Sequence, residues 1–203
     1  REREDVIDVH TNRGTYTCRQ LVVTAGAWTG KLLIDLQPML SPERQVLLWT
    51  QPRRPEYFQP ATFPVVYMQA AEGSFYALPS HDGVGFKFGK YHHLGQQVDP
   101  DTMDRECHEE DERVLRAGLR RYFPDADGPR LAMKTCIFTN TRDEHFIITR
   151  PAGSRVSVAA GFSGHGFKFC SVVGEILAEL ALDGETRHDI SLFTPGRLTA
   201  PGT

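Results

Sequence analysis

The chain has 203 residues, 40% of them hydrophobic and 24% charged, with a formal net charge of −3. That composition excludes a disordered chain, and without a basic block it suggests no nucleic-acid partner and no membrane-surface partner. No apolar run approaches the roughly 20 residues that span a bilayer. The opening Arg1-Glu2-Arg3-Glu4-Asp5 is no signal peptide, and with no initiator Met it reads as the start of a piece cut from a longer chain. Four widely spaced cysteines, Cys18, Cys107, Cys136 and Cys170, form no CxxC pair. They fit neither a disulfide framework nor a zinc site, so a reducing, cytoplasmic setting and no metal are expected.

In chain order, Val6–Val9 and Thr15–Cys18 predict a hairpin around Asn12-Arg13-Gly14. Leu21-Val22-Val23 is a short continuous apolar run, the pattern of a parallel strand buried on both faces. The small residues Ala25, Gly26 and Ala27, before Trp28, permit close approach to something flat or phosphorylated, although such a turn is common in α/β proteins. A short helix is predicted over Thr29–Leu36. Then come strands at Arg44–Trp49, Val65–Met68, Ser74–Leu78 and Val84–Phe88, which suggest an antiparallel sheet. Val114, Leu115, Leu119, Tyr122 and Phe123 recur at helical spacing behind the acidic run Glu109–Glu112, and Pro124 stops the helix. Strands follow at Lys134–Thr139, Phe146–Thr149 and Val156–Ala160, with a final helix over Ser171–Leu182 ending at Gly184. The expected fold class is mixed α/β: α/β pieces at both ends and an antiparallel sheet inserted between them.

Gly161-Phe162-Ser163-Gly164-His165-Gly166-Phe167-Lys168-Phe169 sits between the last strand and the last helix. A strand, a glycine-rich turn and a helix start offer free amide donors to an anionic or electron-rich cofactor. The same residues also suit a tight turn with packed phenylalanines. Lys87 alternates with Gly85 and Gly89 on its strand, which leaves room for a ligand, although a half-exposed surface lysine fits the pattern too. His92 and His93 point to opposite faces of an extended segment and do not readily share a metal. Cys136 reads either as a small buried hydrophobe or as a thiolate joined to a cofactor.

Taken together, VVTAGAWT (22–29), KFGKYHHLGQQVDPDT (87–102), CIFTNTRDEHFII (136–148) and GFSGHGFKF (161–169) closely resemble the monomeric sarcosine oxidase family. These are flavoenzymes of the D-amino-acid-oxidase-like superfamily that oxidise N-methyl and other secondary amino acids. The resemblance covers nearly all of this chain and the carboxy-terminal half or so of a family member. It implies domains at 1–38 (end of the FAD-binding domain), 39–137 (substrate domain) and 138–203 (carboxy-terminal part of the FAD-binding domain). It also implies roles. Cys136 matches the cysteine joined by a thioether to the 8α-methyl carbon of FAD. Lys87 matches the lysine that helps dioxygen accept electrons, and Lys168 the lysine that pairs with the substrate carboxylate. His92 matches the active-site histidine when one residue near Lys90 is taken as an insertion, and His93 competes for that place. Ala25, Gly26, Ala27 and Trp28, with Gly164, His165, Gly166 and Phe167, match residues lying against the cofactor.

The chain departs from the family at two points. Phe138 stands where some members carry a tyrosine that helps bind the substrate carboxylate, and no GxGxxG fingerprint for the ADP part of FAD is present. The implied activity is oxidation of a small N-methyl amino acid such as sarcosine by FAD and dioxygen, giving an imine and hydrogen peroxide. The full-length protein is expected to be a monomer. Alternatives are a relative acting on pipecolate, N-methyltryptophan or a fructosyl amino acid, a dehydrogenase, or a non-catalytic remnant.

Overall fold

The computed structural model describes residues 2, 3 and 5–199. The elements run β1 (Ile7–Thr11), β2 (Gly14–Cys18), β3 (Leu21–Val23), α1 (Thr29–Leu32), β4 (Ser41–Thr50), β5 (Val66–Ala70), β6 (Gly73–Leu78) and β7 (Phe86–Lys90). They continue α2 (Glu109–Tyr122), β8 (Arg130–Asn140), β9 (Ile147–Thr149), β10 (Val156–Ala160) and α3 (Cys170–Leu182). The chain divides into two compact units, one made of residues 1–41 and 139–203, the other of residues 42–138.

In the first unit, β1 and β2 form the predicted hairpin, with Thr11 opposite Gly14. A three-stranded sheet has the order β3-β10-β9, β3 parallel and β9 antiparallel to the central β10. The β10 sequence Val-Ser-Val-Ala-Ala is buried along nearly its whole length, as a central strand requires. The run Leu21–Val23 is parallel as expected, but its middle residue Val22 is exposed. Within the described residues β3 is an edge, and its outer face is uncovered. The single helix expected over Thr29–Leu36 is instead α1 followed by a 3₁₀ segment, Ile34–Met39, with Pro38 inside it. The chain folds back here so closely that a Cβ on Gly30 would lie 3.1 Å from the Gln37 Cα. Helix α3 packs Val173, Ile176, Leu177 and Leu180 on Phe146, Ile148 and Ala159. Its continuation is stopped at Gly184, whose φ of 87° suits glycine.

The second unit is an antiparallel sheet of order β5-β6-β7-β4-β8 with α2 against one face. Alternation sends Val46, Leu48, Phe75, Ala77, Phe86 and Phe88 to that face, where they meet Leu115 and Leu119 of α2. Burying one such side chain contributes about 1.5–3 kcal/mol. The opposite face carries Trp49, Tyr76 and Lys87: Trp49 pairs directly with Lys87, and Tyr76 with Gly89. The loop before α2 is fastened by a buried cluster. Arg44 of β4 makes two 2.8 Å hydrogen bonds to the Asp111 carboxylate and also donates to the carbonyls of Asp104 and Glu106.

Candidate functional site

Each unit carries part of the predicted set. In the first, β3 and β10 run parallel, with Leu21 beside Val156 and Val23 beside Val158. The segments that follow them, Ala25–Trp28 and Gly161–Phe169, therefore leave the same end of the sheet. In α/β sheets this carboxyl end is where ligands bind. Ala25, Gly26, Ala27 and Trp28 form a 3₁₀ turn in which Trp28 N–H donates to the Ala25 carbonyl. Gly26 has φ 54° and open space where a Cβ would stand, and the Trp28 ring is exposed.

The second turn is held from inside. Ser163 N–H donates to the Thr139 carbonyl, and Thr141 N–H donates to Ser163 Oγ at 3.2 Å. Gly161 has φ 64° and lies so near Thr141 that a Cβ would come within 2.5 Å of its methyl group, so glycine is required there. His165 donates from Nε2 to the Glu144 carbonyl at 2.9 Å, which fixes its ring. Gly164 and Gly166 flank it, and the Phe167 ring is 92% exposed. Lys168 Nζ donates to the His165 carbonyl at 2.8 Å and lies 4.6 Å from the centroid of Phe169. The turn thus presents an ordered cation beside exposed aromatic surface.

In the second unit, Lys87 Nζ lies 5.3 Å from the centroid of Trp49 on the sheet face away from α2. Cys136 is exposed, which removes the reading of it as a buried small hydrophobe. The space beside Lys87 is not left open by its glycines. The Tyr76 ring lies across Gly89, where a Cβ would be 2.2 Å from Tyr76 Cζ, and Leu131 and the Thr50 carbonyl fill the place beside Gly85. Burial raises the Tyr76 phenol above the ordinary tyrosine range, and the neighbouring Cys136 and Tyr91 add to this. Tyr91 in turn contacts Tyr67, Tyr76 and Phe138 edge-on or tilted, with centroids 5.3–5.6 Å apart.

Sequence reasoning missed this aromatic group. Its signal was the alternation of Tyr76 with Phe75, which points one ring to each face. The two histidines separate cleanly. Both lie in the turn over residues 91–94, where His92 has φ 54°, rather than on an extended segment: His93 is buried with Nε2 2.9 Å from Asp111, and His92 is partly exposed with Nδ1 2.9 Å from Glu43. Only His92 has a ring within reach of a ligand. Glu175, Glu179 and His188 also lie together, but the Arg187 guanidinium pairs with both carboxylates and supplies the charge a cation would bring.

A family model described as FAD dependent oxidoreductase matches residues 1–180. Monomeric sarcosine oxidase of Bacillus sp. (strain NS-129) is 46% identical over 199 residues, covering 96% of this chain and 51% of the relative. N-methyl-L-tryptophan oxidase of Yersinia pestis (strain Pestoides F) is 35% identical over 195 residues, covering 94% of this chain and 51% of its own length. Among solved structures, L-proline dehydrogenase from P. horikoshii superposes with a TM-score of 0.77 at 25% identity, covering 96% of this chain and 51% of that one. The chain spans about half the length of the curated relatives it matches.

Proposed function

Because the chain belongs to the FAD dependent oxidoreductase family, as the match over residues 1–180 shows, we propose that it serves an FAD-dependent oxidase. The substrate is a secondary, N-methyl amino acid such as sarcosine, and the products are an imine and hydrogen peroxide. The observation that carries this reading is the exposed Cys136 thiol on a sheet that also holds Lys87 and the tyrosine group. The residues fit the cofactor chemically. A thioether would need an exposed thiol and an oxidant, here dioxygen, to take the two electrons released as the S–C bond replaces a methyl C–H bond. Cys136 offers the thiol, and Gly26 leaves space for a flat or phosphorylated group. Bound FAD would accept two electrons from the substrate and deliver them to dioxygen.

The remaining work falls to the side chains of the chain. Lys168, oriented by the His165 carbonyl, offers its ammonium to the substrate carboxylate. Lys87 keeps a positive charge on its sheet face, where it stabilises negative charge developing on dioxygen. His92, paired with Glu43, is the candidate proton carrier. The Cys136 sulfur forms the tether.

The test is acid precipitation of the FAD-loaded protein that contains this chain. Yellow flavin should stay in the pellet, and Cys136→Ala should move it to the supernatant. Flavin released from the unaltered protein would overturn the tether and shift the reading to a non-covalent relative or a dehydrogenase. No flavin in either fraction would favour the non-catalytic remnant.

A second reading concerns substrate choice. Phe138 lacks the hydroxyl that some members of the resembling family carry at this position, and its ring packs on Tyr91. This favours a larger, more apolar substrate such as an N-methylated aromatic amino acid. Comparing kcat/KM for sarcosine and N-methyltryptophan decides between the two.

A further inference from the structure

Beside β8, the edge strand of the five-stranded sheet, lies a pocket of about 380 Å³ whose lining includes Arg105, Glu106, Cys107, Arg130, Lys134 and Thr135. Its two walls are tied together, because Thr135 Oγ1 donates to the Arg105 carbonyl at 3.0 Å. Three cationic side chains line it against one carboxylate, Glu106, in a chain whose net charge is −3. The local charge is therefore opposite in sign to that of the whole molecule.

Of the three cations, Arg130 has its own acid, donating to Glu112 at 2.6 Å. Arg105 donates from Nη2 to the Pro100 carbonyl at 3.1 Å, which orients the guanidinium but leaves its charge unbalanced. Lys134 makes no ion pair among the described residues. Two positive charges that line one concavity, neither ion-paired among the described residues, repel each other and together favour an anion held between them.

We propose that this pocket binds a small dianion, a phosphate group or a short dicarboxylate, between Arg105 and Lys134, with Arg130 as the third contact. The volume lies at the low end for small-ligand sites. A guanidinium fork suits the paired oxygens of either anion, and an ammonium adds a point charge. The single carboxylate, Glu106, opposes binding and sets its strength. This site does not depend on the flavin reading.

The experiment is calorimetric titration of the purified protein with inorganic phosphate and, separately, with succinate, at low and constant ionic strength. Saturable binding of at least one is expected. Arg105→Gln and Lys134→Gln should each weaken it by about fivefold or more, and Glu106→Gln should tighten it by a similar factor. Binding of both anions supports recognition of charge alone, and binding of one identifies the geometry recognised. Absence of saturable binding, or binding indifferent to Lys134→Gln, overturns the proposal. Lys134 and Glu106 are exposed, so both variants should keep the melting temperature and loss of binding will not reflect unfolding.

Discussion

Gly89 and Lys87 show how much a single position in β7 decides. A methyl group on Gly89 would stand 2.2 Å from the Tyr76 ring, inside any tolerable contact, and the ring is packed closely enough that burial raises its phenol pKa. Gly89→Ala should therefore push Tyr76 out of place and lower stability by about 1–3 kcal/mol, read from urea unfolding. An unchanged midpoint would mean that the ring has another rotamer available. At Lys87 the prediction concerns rate. Lys87→Met removes the charge beside Trp49. It should slow reoxidation of the reduced enzyme by dioxygen by about a hundredfold while leaving anaerobic reduction by substrate nearly unchanged. Equal slowing of both half-reactions in stopped flow would remove Lys87 from the oxygen step.

At the scale of the element, α2 depends on a charge cluster at its start. Asp111 accepts from Arg44 twice, from His108 N–H and from His93, and it is 1% exposed. Burial alone would raise its pKa, but the Arg44, His108 and His93 hydrogen bonds hold the carboxyl well below the usual range. Burial also lowers the His93 pKa despite the Asp111 carboxylate, with the charges of Arg44 and Lys90 acting in the same direction.

Both depressed values make the fold less stable in acid. The contribution of neutral His93 is complete above its unfolded value of 6.5 and declines as pH falls below it. The contribution of ionised Asp111 is complete above 3.8 and declines below that. Urea midpoints measured against pH should fall in two steps, and His93→Gln should remove the first. Asp111→Asn should cost about 3–5 kcal/mol, because it leaves Arg44 buried without a counter-charge.

These partners lie up to 67 residues apart, which is why the sequence showed only an acidic helix start at Glu109–Glu112 and an unassigned histidine pair. The periodic elements, α2, α3 and the β4–β7 strands, were legible from apolar spacing alone. The break after α1 was not, because it results from the backbone approach of Gln37 to Gly30. The exposure of Val22 depends on whether a neighbouring strand exists, which no local pattern records. For the candidate site, the turn at 161–169 and the thiol were legible as residue types in order. The Tyr67, Tyr76, Tyr91 and Phe138 group was not, because it forms only when three strands and a turn come together.

Both units leave some large apolar side chains exposed, Val65 and Val84 in one and Leu32 and Ile34 in the other, and they differ in how their cores are assembled along the chain. Residues 42–138 form one continuous segment whose core, from Val46 to Met133, contains no residue from outside that segment. Its sheet has five strands, above the number at which a sheet with one packed face becomes independently stable. The other unit is built from two stretches of chain and a three-stranded sheet. Val22, Trp28, Leu32 and Ile34 remain exposed in it, the last two at 65% and 67%. Bringing two distant stretches of chain together costs loop-closure entropy that a core drawn from one continuous segment avoids, so the two units should separate on heating. The excised segment 42–138 should fold alone, with dispersed amide resonances and a single cooperative transition. Within the whole chain, the amides of β10 and α3 should exchange before those of β4 and β7. Non-cooperative melting of the segment, or uniform exchange across all four elements, would show that the inserted sheet depends on the unit that flanks it in sequence. The buried Arg44–Asp111 pair would then have to be credited with fastening α2 rather than with stabilising a self-sufficient domain.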